Sequence, residues 1–434
     1  MDTPHTHPLE RRLQLAFPLA AVRTLAEQRL KKLARTVRMQ GFRPGKVPYR
    51  LVVQQYGAQV QDDVLNEMAQ GHFGEAVRSQ ELRVAGPARF EAMPTEQADT
   101  FEFSAIFEVY PEVVVGEWTG YTIEKPIVTV SEEDVERTLD ILRRQRVRYE
   151  TVERAAQNED RVRIDFTGTL EGVEFSGGKG QDVSLVLGSG RFLAGFEQAL
   201  LGMSAGEEKT FPLEFPADYS AAELAGKTVS FHTQVREVAA PVLPELDEAF
   251  LRSVGVTEGG VTELRQELRL NLEREVRQKV RTLVKEQVME ILLQVAPIPV
   301  PQVLVYNEIQ RMRQNTREEM QDQTPGRQLP DMPDSLFEAS ARRRVTLGLI
   351  VAELVRRAEI SAGAQQVQEL IEEMASAYER PEEVVQWYTQ NPAQRQQVEN
   401  LALEEAVVRW VCDQVSVKDV VSSFEDMTRT VQAS

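Results

Sequence analysis

Six aromatic side chains at strand and turn positions are the groups in this sequence best placed to form a binding pocket. Aromatic residues at such positions often fill a hydrophobic core, and that is the simpler interpretation of their spacing. The alternative is an apolar pocket that removes a bound group from water, and the pattern alone leaves both interpretations open. The six residues are Phe166, Phe175, Phe192, Phe196, Tyr219 and Phe231.

Groups for acid–base, nucleophilic, metal or nucleotide chemistry are sparse. Of the four histidines, only His5 and His7 are close in sequence, and they stand in a terminal segment. Cys412 lies in an apolar helical pattern, which favours a buried structural thiol over a reactive one. Residues 226–228 (GKT) lack the upstream glycine of a phosphate loop, and no helix opens after the glycines of residues 177–180. We therefore predict no metal site, no cofactor and no catalytic acid, base or nucleophile.

A second informative segment is GFRPGKVP, residues 41–48. Two glycines and two prolines in eight residues prevent a continuing helix or a central strand, so the segment is predicted to be the tip of a helix–loop–helix. It presents Phe42, Arg43 and Lys46, which suit docking on an anionic, partly apolar surface. An ordinary solvated turn is the alternative, and these residues alone do not decide between the two.

Charge is distributed unevenly along the chain. The net charge is −18 over 434 residues, yet residues 1–50 carry eleven Lys and Arg against three acidic residues, a balance of +8. The remaining 384 residues therefore sum to −26. A basic N-terminal patch on an acidic body is typical of a protein that docks one end on nucleic acid, and such binding should weaken with salt.

Length and composition predict a protein of two to four domains with an ordinary hydrophobic content of 42%. The single cysteine excludes a disulfide within the chain and suits a reducing compartment. The first residues lack the pattern of a secretory signal, and no run of eighteen apolar residues occurs. The expected location is therefore the cytoplasm, without a membrane span.

Hydrophobic periodicity predicts three kinds of region along the chain, which would position the residues discussed above. Residues 1–110 combine alternating strand patterns at 9–17, 86–93 and 101–109 with helical patterns at 22–37 and 48–79. We expect Pro18 in the first turn of the first helix. This region is predicted to be α+β, with a small antiparallel sheet packed on two or more helices.

The remaining regions differ from the first in their predicted secondary structure. Residues 111–126 are predicted to be an extended connector, followed by a helix from Ser131 to about residue 148 with acidic residues and a capping arrangement at its start. From 151 to 240, alternating strands and glycine turns predict a β-rich domain with one short helix near 195–201. From 241 to 434 the pattern is almost wholly helical, and one helix of more than thirty residues is predicted to be about 50 Å long. Helices joined by prolines suggest arms rather than a compact bundle.

Residues 161–238 resemble the FKBP-type prolyl isomerase domain. The matching motifs are Asp-Phe-Thr-Gly at 165–168, Leu-Gly at 187–188, Gly-Phe-Glu at 195–197 and Phe-Pro-Ala-Asp-Tyr at 215–219. The resemblance implies cis/trans isomerisation of Xaa-Pro bonds in an apolar bowl. Phe196 stands where single-domain members often carry tryptophan, and Ser176 where they often carry aspartate, which weakens the expectation of tight binding by that family's immunosuppressant ligands. The implied site residues are Phe166, Phe175, Val183, Phe192, Leu193, Phe196, Tyr219 and Phe231.

The resemblance extends outward to the trigger factor family of bacterial nascent-chain chaperones. GFRPGKVP with Tyr56-Gly57 resembles the family's ribosome-docking motif, residues 107–113 resemble its inter-domain region, and residues 243–247 with the long helix resemble the start of its C-terminal domain. Pro44 occupies a variable position where many members carry a basic residue. The implied ribosome-binding residues are Gly41, Phe42, Arg43, Pro44, Gly45, Lys46 and Pro48.

The resemblance implies a multidomain α+β chain. Its parts would be a ribosome-binding domain (1–110), a linker and helix that contact the C-terminal domain (111–150), an FKBP-type antiparallel β-sheet domain with a short helix (151–240), and an extended all-α chaperone domain with arms (241–434). The implied partners are the large ribosomal subunit near the exit tunnel, through ribosomal protein and rRNA, and nascent or unfolded polypeptides, bound without ATP. Weak self-association is compatible with this pattern, although no heptad seam indicates it. The rival interpretation is a free-standing prolyl isomerase with a basic RNA-binding N-terminal domain.

Overall fold

The computed structural model describes residues 8–40, 42, 46–94, 99–219, 221, 223–323, 332–376, 378 and 380–429, apart from the side chains of Ser176, Gln323, Thr428 and Arg429. The chain divides into two compact units. The first comprises Met1–Lys125 and Thr282–Asp419, and the second comprises Pro126–Arg281 and Val420–Ser434. The predicted multidomain α+β fold class is confirmed, with an antiparallel sheet in the FKBP-type region and a helical C-terminal part.

The N-terminal part of the first unit is a three-stranded antiparallel sheet with two helices. The strand order is β1-β3-β2, and β1 pairs with β3 from Glu10 opposite Glu108 to Pro18 opposite Thr100. Its core contains Phe17 and Phe103, whose ring centroids lie 5.7 Å apart. The elements are β1 (Glu10–Pro18), α1 (Leu19–Thr36), α2 (Tyr49–Ser79), β2 (Arg89–Ala92) and β3 (Thr100–Glu108).

Pro18 lies just outside helix α1, one position earlier than the sequence predicted. It is the last residue of β1 and the N-cap of α1, with φ −69° and ψ 129°, and the following N–H of Leu19 donates to the Asp99 carbonyl at 2.8 Å. A proline lacks an N–H to donate, so the first hydrogen bond of this turn has to come from Leu19. The strand therefore leads into the helix without an intervening loop.

Strand β4 (Thr122–Ile127) lies in the segment predicted to be an extended connector. The helical part of the first unit has a core formed from α6, α8 and α11, which includes Leu292, Ile350 and Val407. At its edge, Trp118 meets Trp410 edge to face with ring centroids 5.7 Å apart. The C-terminal elements are α6 (Gly260–Val295), α7 (Gln302–Gln323), a 3-10 turn (Asp334–Leu336), α8 (Glu338–Arg357), α9 (Ala364–Ala375), α10 (Pro381–Gln390), α11 (Pro392–Gln414), β10 (Ser416–Val421), which pairs with β4, and α12 (Phe424–Arg429).

The second unit contains a five-stranded antiparallel sheet. Strand β9 pairs with β6 along one edge and with β8 and then β5 along the other, and β7 pairs with β6. Valine, isoleucine and leucine residues alternate inward along these strands and bury a core that includes Val162, Ile164 and Val235. The elements are α3 (Glu132–Arg144), β5 (Arg148–Thr151), β6 (Arg161–Leu170), β7 (Val173–Val186), α4 (Ala194–Leu200), β8 (Glu208–Glu214), β9 (Thr228–Val242) and α5 (Glu248–Ser253).

Helix α3 begins with a complete capping box. The Asp134 N–H donates to the Ser131 hydroxyl oxygen at 3.2 Å, and the Ser131 N–H donates to the Asp134 carboxylate at 2.9 Å. The hydrogen bond from the Ser131 hydroxyl lowers the pKa of Asp134. One face of the helix buries Val135 and Leu139.

We expect Ser131→Ala to lower the stability of α3 by about 1 kcal/mol, because the Asp134 N–H loses the Ser131 hydroxyl oxygen as its acceptor at the helix start. Amide hydrogen exchange of residues 132–138 should accelerate by a corresponding factor. Thr138→Ala serves as a control, since the Thr138 hydroxyl only donates to the Asp134 carbonyl within the helix. Equal acceleration in both variants would argue against the capping role.

Candidate active site

A cavity of about 440 Å³ opens on the sheet of the second unit. Strands β6, β7, β8 and β9 supply one side chain each to its wall. Helix α4 with the loop before it, and the segment between β8 and β9, supply the rest. The lining is almost wholly aromatic and aliphatic. Such a cavity can exclude water from a small apolar group.

The structure brings together seven of the eight residues that the sequence predicted for an isomerase pocket. Val183 is the exception. It packs against the hydrophobic core of this domain, and an added Cβ on Gly180 would lie 2.8 Å from its Cγ2. The seven lining residues are Phe166, Phe175, Phe192, Leu193, Phe196, Tyr219 and Phe231.

The aromatic rings meet mainly edge to face. Phe196 is the centre of the cluster: only 2% of it is exposed, and its ring lies 5.2 Å from that of Phe231 at 88° and 5.6 Å from that of Phe166 at 76°. The Tyr219 ring stands 4.8 Å from Phe215 and is 38% exposed. Both interpretations of the sequence pattern therefore hold in part, because Phe196 and Phe231 belong to the core and also line the cavity.

Sequence reasoning missed several lining residues. Leu213 and Phe215 lie in and just after β8, and Leu224 and Arg191 lie in loops. The alternation of Phe211, Leu213 and Phe215 was the available signal for a strand. No pattern in the sequence marks Arg191 as a lining residue.

The loop between β7 and α4 is held by one buried carboxylate. Glu197 in α4 is 6% exposed, and its oxygens accept hydrogen bonds from the N–H groups of Gly188 at 2.8 Å and Phe192 at 3.2 Å, with Gly190 further away at 3.5 Å. Gly188 has φ +86°, and an added Cβ would lie 2.3 Å from the Asn158 side-chain oxygen. Glu197 therefore positions the segment that carries Phe192 and Leu193 into the cavity.

Two polar groups at the cavity are without partners among the residues that the structure describes. The N–H of Leu193, the N-cap of α4, donates to no described acceptor, and the Tyr219 hydroxyl makes no described hydrogen bond. Both groups belong to residues that line the cavity and are therefore candidate donors to the carbonyl oxygen of a bound peptide.

An ion pair supports the strand end that leads into this loop. Asp160 is 1% exposed, and its carboxylate accepts two hydrogen bonds from Arg154, at 2.6 and 2.9 Å, and one from the Gln157 N–H at 2.8 Å. The Leu187 N–H donates to the Asp160 carbonyl at 2.9 Å. Burial works to raise the pKa of Asp160, but the hydrogen bonds from Arg154 and Gln157 outweigh it and hold the pKa below its usual value.

We expect Asp160→Asn to lower the free energy of unfolding of this domain by about 1–3 kcal/mol at pH 7, because an amide cannot accept both Arg154 hydrogen bonds. The pKa of Asp160 is lower in the folded chain than in the unfolded chain, so its ion pair stabilises the fold fully at pH values above the unfolded pKa of about 3.9. This stabilisation is lost as the pH falls through the pKa of Asp160 in the folded state. The difference between wild type and variant should therefore shrink below pH 4. Urea unfolding followed through the methyl NMR signals of Val162 and Ile164 measures it at each pH.

Asp182→Asn is the matched control. Asp182 also binds an arginine, Arg163, but its side chain is 60% exposed, so its loss should cost far less. An Asp160→Asn effect that stays constant from pH 7 to pH 3, or that Asp182→Asn reproduces, would contradict the buried-pair explanation.

The second predicted site lies between α1 and α2 in the first unit. Gly41, Arg43, Pro44 and Gly45 lie outside the described residues. Phe42 is 40% exposed. Lys46 and Pro48 are also exposed, and Pro48 is the N-cap of α2.

Val47 anchors the base of this segment. It is 6% exposed and packs with Leu30 of α1 and Val52 of α2. Lys46 thus directly precedes a residue that is fixed to both helices.

Within the described residues, no group of three or more His, Cys, Asp or Glu side chains is arranged to hold a metal ion. The described helices include none with the length and apolar content to cross a membrane. The burial of Cys412 raises its pKa, which keeps the thiol protonated.

Comparisons with known proteins agree with the geometry. Profiles described as "Bacterial trigger factor protein (TF)", "FKBP-type peptidyl-prolyl cis-trans isomerase" and "Bacterial trigger factor protein (TF) C-terminus" match residues 2–142, 152–236 and 260–413. The trigger factor of Dechloromonas aromatica is 48% identical over 427 residues, 98% of either chain. The chain belongs to the trigger factor family. The trigger factor of Thiobacillus denitrificans is 46% identical over 420 residues, 96% of this chain and 97% of its own.

Membership of the trigger factor family confirms the predicted resemblance. The chain is a ribosome-associated chaperone with an FKBP-type domain, and it is a peptidyl-prolyl cis-trans isomerase. The free-standing isomerase with an RNA-binding tail is not favoured. As in the trigger factor family generally, its partners are the ribosome and unfolded polypeptides. A solved structure of the trigger factor chaperone is similar over 94% of this chain and 98% of its own, at 17% identity and with a TM-score of 0.45.

Proposed function

We propose that the cavity of the second unit catalyses the isomerisation of Xaa-Pro bonds by removing water from the prolyl amide. The observation that carries this proposal is a largely aromatic cavity with the unpartnered Leu193 N–H at its lining. The proposed site residues are Phe166, Phe175, Phe192, Leu193, Phe196, Tyr219 and Phe231, with Val183 packed against the core to which Phe196 and Phe231 belong.

The mechanism follows from the electronic structure of the amide. Rotation about the bond passes through a twisted state that loses resonance, with a barrier of about 20 kcal/mol, and takes tens of seconds or longer without catalysis. The twisted amide is less dipolar than the planar one, so an apolar, water-free site disfavours the ground state more than the transition state. In the proposed geometry, the Leu193 N–H and the Tyr219 hydroxyl hold peptide carbonyls and keep the proline ring among the aromatic rings. No acid, base or nucleophile is needed.

The direct test is the exchange rate between the cis and trans forms of a short Xaa-Pro peptide, measured by NMR exchange spectroscopy. Substoichiometric full-length chain is expected to accelerate the exchange. A rate equal to that of the peptide alone would contradict the proposed site.

We further propose that residues 41–48 dock the chain on the large ribosomal subunit near the exit tunnel, through rRNA phosphates and a ribosomal protein. Phe42 supplies apolar contact area, while Arg43 and Lys46 supply charge in a segment whose surroundings carry +8. Gly41, Gly45 and Pro48 shape the turn. Pro44 adds stiffness in place of a charge, so docking depends more strongly on the three contact residues.

The helical part is proposed to hold nascent polypeptides weakly and at many points, without ATP. Exposed apolar side chains on its helices, among them Tyr306, Leu336 and Trp387, support this role. Addition of the full-length chain to an aggregation-prone protein during refolding should suppress light scattering. Unchanged scattering would remove the chaperone assignment of these helices.

We also propose the domain division 1–110, 111–150, 151–240 and 241–434, a cytoplasmic location and a weak homodimer.

A further inference from the structure

We propose that Asp165 is a positioning residue for the isomerase site: its carboxylate holds the two β-bulges on either side of β6 and thereby fixes the Phe166 ring in the cavity. This inference rests on the proposed isomerase function and adds a residue to it. Side chains alternate along β6, so Asp165 lies on the outer face of the sheet while Phe166 points to the opposite face and lines the cavity. Asp165 therefore acts on the reaction only through Phe166.

The first bulge lies on β9. At this point one step along β6 matches two steps along β9, in the pairs Arg163–Glu237 and Ile164–Val235. Arg236 is therefore the extra residue of a β-bulge. Its guanidinium donates to the Asp165 Oδ2 atom, from Nε at 2.8 Å and also from one terminal nitrogen.

The second bulge lies on β7, along the other edge of β6. Here two steps along β6 match three steps along β7, in the pairs Ile164–Val183 and Phe166–Gly180. Gln181 and Asp182 therefore share the place opposite Asp165. Asp182 has φ +54°, a left-handed conformation that is unfavourable for a residue other than glycine. Its N–H donates to the Asp165 Oδ1 atom at 2.7 Å, which holds the bulge in this conformation.

One carboxylate thus binds both bulges, with a different oxygen for each. The N–H of Asp182 and then the guanidinium of Arg236 hold the pKa of Asp165 below its usual value, so the group keeps two acceptor oxygens at neutral pH. Bulges bend a strand and increase its local twist. The Asp165 carboxylate therefore fixes the bend of the sheet at the residue that precedes Phe166.

The β7 bulge also decides which residue meets the Phe166 ring. Gly180 stands opposite Phe166, and an added Cβ on Gly180 would lie 2.5 Å from Cε1 and 2.8 Å from Cζ of that ring. Without the bulge Gln181 would stand opposite Phe166, and its side chain would enter the space that the ring now fills. The bulge is therefore required for the observed position of the ring.

Two substitutions of Asp165 test its role in the full-length chain. Asp165→Ala removes the acceptor of both bulges, and we expect kcat/KM for an Xaa-Pro peptide to fall by about tenfold, since small displacements of a site residue can cost up to about 100-fold in rate. Asp165→Asn should lower it by about threefold, because an amide has one acceptor oxygen and must turn its NH2 group toward either the Asp182 N–H or the Arg236 guanidinium. The asparagine variant decides the question if the alanine variant does not fold.

The contact between Phe166 and Gly180 provides a readout that a general loss of stability does not change. Selective labelling of glycine and phenylalanine allows the nuclear Overhauser effect between the Gly180 Hα and the Phe166 ring to be measured on the folded chain. This effect should be strong in wild type, weaker in Asp165→Asn and absent in Asp165→Ala.

Glu237→Ala is the matched control. Glu237 lies on the same outer face, and its side chain is 26% exposed against 22% for Asp165. It accepts hydrogen bonds from Thr151 at 2.7 Å and Arg163 at 3.1 Å, and neither of these is the extra residue of a bulge. This variant should keep the ring contact and nearly all of the wild-type kcat/KM. Equal losses of rate and contact in Glu237→Ala would overturn the inference.

The ring contact also separates this inference from the proposed function. If the wild-type chain accelerates no exchange, the isomerase site is contradicted, while the Phe166–Gly180 contact in the Asp165 variants still tests the role of Asp165. If wild type is active and the folded Asp165 variants keep both rate and contact, only the role of Asp165 is contradicted. A loss of rate with the contact intact would overturn that role as well.

Discussion

Replacing Phe166 with alanine is expected to lower kcat/KM for an Xaa-Pro peptide by about 10- to 100-fold, because the cavity loses one of the rings proposed to surround the prolyl amide. Burial of a phenylalanine side chain is worth about 1.5–3 kcal/mol, and each 1.4 kcal/mol lost from the transition state costs a factor of ten in rate. The Phe166 ring contacts Phe192 and Phe196 at centroid distances of 5.9 and 5.6 Å, so its removal opens the wall to water. Exchange spectroscopy on the full-length variant measures the loss directly.

Phe211→Leu provides the control for damage to the fold. Phe211 belongs to the same core and stacks near Phe231, with ring centroids 6.3 Å apart, but it does not line the cavity. We expect this variant to be less stable than wild type yet nearly as active at low temperature. An active Phe166→Ala chain, or equal losses in the two variants, would contradict the assignment of catalysis to the cavity.

Replacing Phe42, Arg43 and Gly45 together by alanine should lower ribosome affinity by at least about 30-fold. Aromatic and arginine side chains at the centre of an interface commonly contribute 2 kcal/mol or more each. Co-sedimentation with large subunits should therefore fall to background at physiological salt. Wild-type binding should weaken steadily as salt increases, since docking displaces counterions from rRNA.

Arg38→Ala is the matched control for this variant. Arg38 is an exposed cation that follows α1 and lies outside the GFRPGKVP segment. Its loss should reduce binding only slightly, through the general charge of the N-terminal region. Normal pelleting of the triple variant, or an equal loss in Arg38→Ala, would contradict docking through the loop.

Much of the fold follows from sequence periodicity. The helix of more than thirty residues predicted within 241–434 corresponds to α6, and the alternating strands predicted within 151–240 include β6 and β9. Strand β8 was missed because Pro212 interrupts it. The structure explains why a proline is tolerated there: β8 is an edge strand whose described pairing is with β9 alone.

The site was predictable only where its residues belong to a motif. Leu213 was missed because β8 was not recognised. Phe215 begins the motif at 215–219, yet it was not assigned to the site, because its place in the cavity depends on the tertiary position of the segment after β8. Glu197 was part of the quoted motif, but its role in holding two N–H groups of the loop depends on tertiary contacts. No sequence pattern predicts that Arg191 lines the cavity, because a single exposed arginine has the same local sequence features at a cavity as anywhere else on the surface.

The edge-to-face contact of Trp118 with Trp410 has a spectroscopic consequence. These two residues and Trp387 are the only tryptophans of the chain, and all three lie in the first unit. Intrinsic tryptophan fluorescence therefore monitors the unfolding of the helical part and gives no direct signal from the isomerase domain. A ligand that enters the aromatic cavity should leave this emission unchanged, whereas a polypeptide held beside the exposed Trp387 should shift it, so one optical probe distinguishes the two modes of client binding.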